Sequence, residues 1–130
     1  MSNESTTFSD GDAEEIRSIT HKHIQAVLDH DPDAFMATCA ADIALLPPGN
    51  EAVLGLAAGR SYMDSFPTPT QFSVEIDDIE GQGDLAFARG SATATFEDGG
   101  TTLKWLAIYR KQSDGSWKMA RDIWNANEAS

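Results

Sequence analysis

From Gln71 to the end of this 130-residue chain, apolar residues leave helical spacing and alternate with polar ones at every second position. Phe72, Val74 and Ile76 interleave with Ser73, Glu75 and Asp77, the pattern of a strand with one face on a core and the other in water. Glycine turns divide the remaining residues. Gly81 and Gly83 lead into residues 85–96, Asp98-Gly99-Gly100 into 101–111, and Asp114-Gly115 into a last strand through Trp117 and Asn125. Short turns between successive strands predict an antiparallel meander.

The front half is helical. Ile16, Ile19, His23, Ala26, Val27 and His30 recur on one helical face, predicting a first helix of about five turns that begins near Asp12, with Glu15 as its capping-box partner. Asp31-Pro32-Asp33 starts a second helix, Asp31 as cap and Pro32 at the first helical position, with Phe35 and Cys39 inward. Residues 43–46 read as a brief strand stopped by Pro47-Pro48-Gly49. Gly55 opens a third helix through Phe66 that Pro67 and Pro69 end. Helices followed by antiparallel strands give an α+β domain, its sheet curled around the helices. The domain is expected over residues 12–126, after a disordered leader at 1–11 and before a tail at 127–130.

The formal charge of −12, from 9 Lys and Arg against 21 Asp and Glu, repels phosphate backbones and anionic lipid, so neither nucleic acid nor membrane is an expected partner. Cys39 is the single cysteine and excludes an intramolecular disulfide. No run reaches the roughly 18 apolar residues of a membrane span, and the polar start lacks a secretory segment, so a cytoplasmic protein is expected.

Within the last strand, alternation sends Ala120, Asp122 and Trp124 to one face and Met119, Arg121 and Ile123 to the other. A carboxylate among apolar neighbours needs a partner or a cavity, because burying an unpaired charge is costly.

The order of these elements, with Ala41-Asp42-Ile43-Ala44-Leu45-Leu46-Pro47-Pro48-Gly49, Gly83-Asp84-Leu85-Ala86-Phe87-Ala88-Arg89-Gly90, Asp114-Gly115-Ser116-Trp117 and Ile123-Trp124-Asn125, resembles the nuclear transport factor 2-like superfamily. More narrowly it is similar to the SnoaL-like and ketosteroid isomerase-like branch. The resemblance implies a cone: a curved sheet and its covering helices enclose a pocket, and the convex side pairs with a second subunit. The sequence suits both, since Trp105, Ala107 and Tyr109 share one face of a strand and Leu106 and Ile108 the other; a homodimer is expected. Ketosteroid isomerases use an aspartate base, with a tyrosine and a protonated aspartic acid holding the oxyanion. The resemblance puts the base position on Pro47, the acidic donor at or near Ala107 and the tyrosine at or near His23. Steroid isomerisation by that mechanism is therefore not expected.

If the first helix packs across the sheet as in that superfamily, His23 and Asp122 meet, and a carboxylate that orients an imidazole makes a general base near neutral pH. The same pair also serves simply to join helix to sheet. Arg89 is a candidate clamp for a ligand carboxylate or, equally, a surface arginine paired with an acid. Tyr62 and Phe66 line or plug the mouth of the cone, and Trp105 and Trp124 are candidate pocket walls or ordinary core. His21 and His23 point to different sides of a helix, so no metal site is expected, and Gly81-Gln82-Gly83 precedes a strand where a phosphate loop needs a helix, so no cofactor is expected. Two functions remain: a cofactor-independent isomerase, hydratase or cyclase acting on a small apolar carbonyl compound, or a noncatalytic module that binds a small apolar or carboxylate-bearing molecule or associates as a dimer.

Overall fold

Ser9 starts the first helix. In the computed structural model, which describes residues 7–128, α1 spans Asp10–Leu28, and Ser9 and Asp12 form the capping box: the Ser9 N–H donates to Asp12 Oδ2 at 2.9 Å and the Asp12 N–H to Ser9 Oγ at 3.1 Å. The expected box of Asp12 and Glu15 is thus displaced by one turn, because Glu15 instead accepts the backbone N–H of Trp117 at 3.0 Å. Helix therefore occupies residues expected in the leader; residues 1–6 of that leader, and 129–130 of the tail, lie outside the described residues. The buried stripe of α1 is Ile16, Ile19, Thr20, His23, Ala26 and Val27. His30 falls outside it, beyond the helix end and at φ 49°.

Asp31 caps α2, Pro32–Ala37, by accepting the Ala34 N–H at 3.1 Å. β1, Cys39–Leu46, comes next, then the two-residue β2, Val53–Leu54, and α3, Leu56–Ser65. The first half of β1 escapes the sequence pattern because its register with the last strand shifts between Cys39 and Ala44, which interrupts alternation. Four long strands complete the chain: β3 Gln71–Gln82, β4 Leu85–Phe96, β5 Gly99–Lys111 and β6 Trp117–Ala126. Their order, β2-β1-β6-β5-β4-β3, is one six-stranded open sheet, antiparallel except where β1 runs parallel to β6.

Bulges curve this sheet. The β3 register shifts between Ile76 and Asp78 opposite Gly90, whose missing side chain leaves room for the bulged strand: a Cβ there would stand 1.9 Å from the Glu75 carbonyl oxygen. A second shift between Ile108 and Tyr109 changes the parity of β6, so Met119 joins Asp122 and Trp124 on the inner side, where uninterrupted alternation separates them. Along β4 the inner residues Ala86, Ala88, Ala92 and Ala94 are all small and buried. Ala86 and Ala88 pack in one core cluster with Ile16, Ile19, Val27 and Phe35. Ala92 and Ala94 leave a hollow instead. No helix among the described residues is long and apolar enough to cross a membrane.

Candidate functional site

That hollow is a cavity of about 300 Å³ between α1, α3 and the concave sheet. Its walls are apolar and aromatic: Phe72 from β3, Phe96 from β4, Trp105 from β5, Trp124 from β6, and Tyr62 and Phe66 from α3. Such a lining, with few polar groups, is what a small-molecule site presents. Tyr62 ties the wall together, its ring centroid 5.7 Å from Phe66 and 6.2 Å from Trp124. Trp105 is oriented by its indole N–H, which donates to the Ser91 carbonyl at 3.0 Å.

A histidine and an aspartate line this wall, one from each end of the chain. His23 lies on the inner stripe of α1 and Asp122 on β6, registered opposite Ala107, and His23 Nε2 stands 3.6 Å from Asp122 Oδ2. The contact is electrostatic, since 3.6 Å is longer than a hydrogen bond. Both side chains are largely withdrawn from water, at 7% and 15% exposure. Phe35 covers the imidazole with ring centroids 4.4 Å apart, and Nδ1 lies 2.9 Å from the Thr38 hydroxyl oxygen. Burial opposes a charge on this ring more than any other single influence, yet Asp122 and the neighbouring Cys39 together outweigh it and push the His23 pKa up to about 9.

An imidazole with this pKa carries a proton at neutral pH and donates hydrogen bonds. Tyr62 adds a second donor: burial first, and then the charge of Asp122, raise its pKa, so the phenol keeps its proton. Tyr109, beneath the cavity wall, is held protonated for the same reasons. Its hydroxyl lies 2.6 Å from Thr20 Oγ1, which itself donates to the Ile16 carbonyl at 2.8 Å.

Of the residues singled out from sequence, His23, Asp122, Tyr62, Phe66, Trp105 and Trp124 share this cavity. Arg89 does not. It projects from the opposite face of β4 beside Leu106 and forms ion pairs with Asp77 and Asp78, so the expected carboxylate clamp is replaced by a surface arginine among acids. Sequence reasoning does not single out Thr20, Thr38 or Tyr109 as site residues. Thr20 is accessible to it, being four residues after Ile16 on the α1 stripe; Thr38 sits at a helix-to-strand junction where no periodicity points to it.

Known proteins share this fold. The family described as a SnoaL-like domain matches residues 20–120. Among solved structures, a ketosteroid isomerase-like protein from Erwinia carotovora atroseptica superposes with a TM-score of 0.82 at 22% identity, covering 93% of this chain and 100% of that one. A nuclear transport factor 2-like protein with a cystatin-like fold from Novosphingobium aromaticivorans gives 0.77 at 18% identity over 92% and 84%. Another nuclear transport factor 2-like protein, of unknown function, from Pseudomonas putida gives 0.77 at 22% over 95% and 92%. These likenesses establish the cone-shaped fold. No curated protein matches the sequence.

Proposed function

Since the chain belongs to the SnoaL-like domain family, with the fold of ketosteroid isomerase-like and nuclear transport factor 2-like proteins, we propose that it is a cofactor-independent enzyme moving a proton on a small apolar carbonyl compound. The observation that carries this reading is the His23–Asp122 contact at the wall of an otherwise apolar, aromatic cavity. An imidazole and a carboxylate side by side at the wall of a dry cavity supply the donor and acceptor that proton transfer uses. In the proposed step the Asp122 carboxylate takes a proton from the carbon next to the carbonyl. The C–H electron pair becomes a C=C bond while the C=O π pair moves onto oxygen, which accepts a hydrogen bond or proton from His23 Nε2. Where the substrate carries a further C=C bond beside the enol, return of the proton to its far carbon gives isomerisation; attack of the enol carbon on a second carbonyl, whose oxygen takes up the proton, gives cyclisation.

A neutral ligand is favoured over a carboxylate. Among the described residues the only cationic side chain lining the cavity is His23, already paired with Asp122, and Arg89 is elsewhere. The outer sheet face is proposed to take a second copy of the chain, for which the exposed Leu85, Leu106 and Ile123 are the apolar anchors.

Thermal-shift titration with 2-tetralone, 1-indanone and 2-naphthoate tests the ligand class. Saturable stabilisation by the two ketones and none by the carboxylate is expected. Stabilisation by naphthoate alone, or by none of the three, contradicts the reading; a ketone that binds without any proton exchange supports the noncatalytic module instead.

A further inference from the structure

The hydroxyl of Thr38 has one proton and two claims on it. It lies 2.7 Å from the Phe35 carbonyl oxygen, which can only accept, and 2.9 Å from His23 Nδ1, which donates or accepts according to its tautomer. The shorter contact directs the proton into the Phe35 carbonyl at the C-terminal end of α2, which also accepts the Thr38 N–H at 3.1 Å. What Thr38 then offers to His23 is a lone pair, and Nδ1 satisfies it only by carrying hydrogen. The neighbouring alternative is poorer, since Cys39 Sγ is 3.8 Å from the hydroxyl and itself donates to Phe35 at 3.4 Å. Thr20 repeats the arrangement, its proton directed to the Ile16 carbonyl and its lone pair to the Tyr109 hydroxyl.

We propose that Thr38 is a positioning residue that fixes the His23 proton on Nδ1 in every protonation state, so that the exchangeable proton is the one on Nε2, facing Asp122 and the cavity. The Phe35 ring packs against the imidazole, with centroids 4.4 Å apart. In the charged ring both nitrogens face acceptors, Asp122 at Nε2 and Thr38 at Nδ1; in the neutral ring the two compete for one proton, and only Thr38, at 2.9 Å against 3.6 Å for Asp122, is within hydrogen-bond reach, while the Tyr62 and Tyr109 phenols are held protonated. Thr38 touches no ligand. Its use in turnover rests on the acid–base reading above, whereas the tautomer itself does not.

Nitrogen-15 NMR of the imidazole in the wild type, Thr38→Val and Thr38→Ser separates the two. Above the titration of His23, the wild type and Thr38→Ser are expected to show a protonated Nδ1 and a pyridine-like Nε2. Thr38→Val, which keeps the shape and removes the acceptor, is expected to shift the proton toward Nε2 and lower the His23 pKa by about 1, the size of one hydrogen bond to a charged group. A wild-type neutral ring protonated on Nε2 overturns the proposal, as does a valine variant with unchanged tautomer and titration. Should the valine variant fail to fold, the wild-type tautomer alone decides. Ketone exchange measured alongside distinguishes the two claims: a fixed Nδ1–H tautomer without turnover leaves the positioning role intact and removes only its catalytic use.

Discussion

His23 Nε2 and Asp122 Oδ2 stand 3.6 Å apart, a contact that joins the first helix to the last strand of the sheet at the wall of the cavity. It couples stability to pH in a definite direction. The folded-state pKa of His23, about 9, lies above its unfolded value of 6.5, so folding takes up a proton between the two. The stabilisation is complete below pH 6.5, declines as pH rises and is lost through about pH 9. Urea unfolding of the wild type is expected to weaken over this window by up to a few kcal/mol. Asp122→Asn, which removes the charge partner, is expected to flatten the slope; parallel pH profiles in the two proteins contradict the assignment.

Gly90 is expected to tolerate no side chain. A Cβ 1.9 Å from the Glu75 carbonyl oxygen meets backbone and cannot be relieved by a rotamer, so Gly90→Ala must displace the bulge in β3. A loss of about 3 kcal/mol is expected in denaturant unfolding.

Asp12 serves three partners at once: the Ser9 N–H in the capping box, the Trp117 indole N–H at 3.0 Å and Lys111 Nζ at 3.5 Å. The Ser9 backbone N–H first, then Trp117, Ser9 Oγ and Lys111, hold its carboxyl below the usual value against the opposing effect of burial. Asp12→Ala is expected to remove about 2 kcal/mol, combining a lost cap with a buried indole donor left unpaired. For a depressed pKa the contribution is present above 3.8 and disappears as pH falls through the folded value, so acid unfolding of the variant is expected to lose part of its pH dependence.

The outer face supplies a test of assembly. Leu106 and Ile123 are paired in register on adjacent strands and exposed at 39% and 40%. Light scattering is expected to give twice the 14.0 kDa chain mass for the wild type and a single chain mass for Leu106→Glu with Ile123→Glu. A wild-type monomer removes the proposed pairing.

The legible part of this fold is the part governed by uninterrupted periodicity. The α1 stripe through Ile16, Ile19 and His23 and the alternation of β3 place helix and sheet correctly, whereas the approach of His23 to Asp122, expected only on the packing of the resembled superfamily, depends on how α1 crosses the sheet. Where a bulge breaks the period, pattern fails: Cys39 reads as helical though it begins β1, and alternation puts Met119 on the wrong face of β6. The parallel pairing of β1 with β6 is a long-range choice that no local spacing encodes. Arg89 falls on the outer face of β4, opposite the parity of the buried Ala86, Ala88, Ala92 and Ala94, of which Ala92 and Ala94 border the cavity. Protonation is less legible still. Whether His23 acts as acid or base depends on the packing of Phe35, Thr38, Cys39 and Asp122 around one ring.

Deuterium incorporation next to the carbonyl of 2-tetralone in heavy water, followed by proton NMR with wild-type protein and with Asp122→Asn, bears most directly on the proton-transfer role. Exchange above the buffer rate with the wild type and a loss of about a hundredfold or more in the folded asparagine variant is the expected result. Equal exchange in the two proteins, or none above buffer from a wild type that binds the ketone, contradicts it.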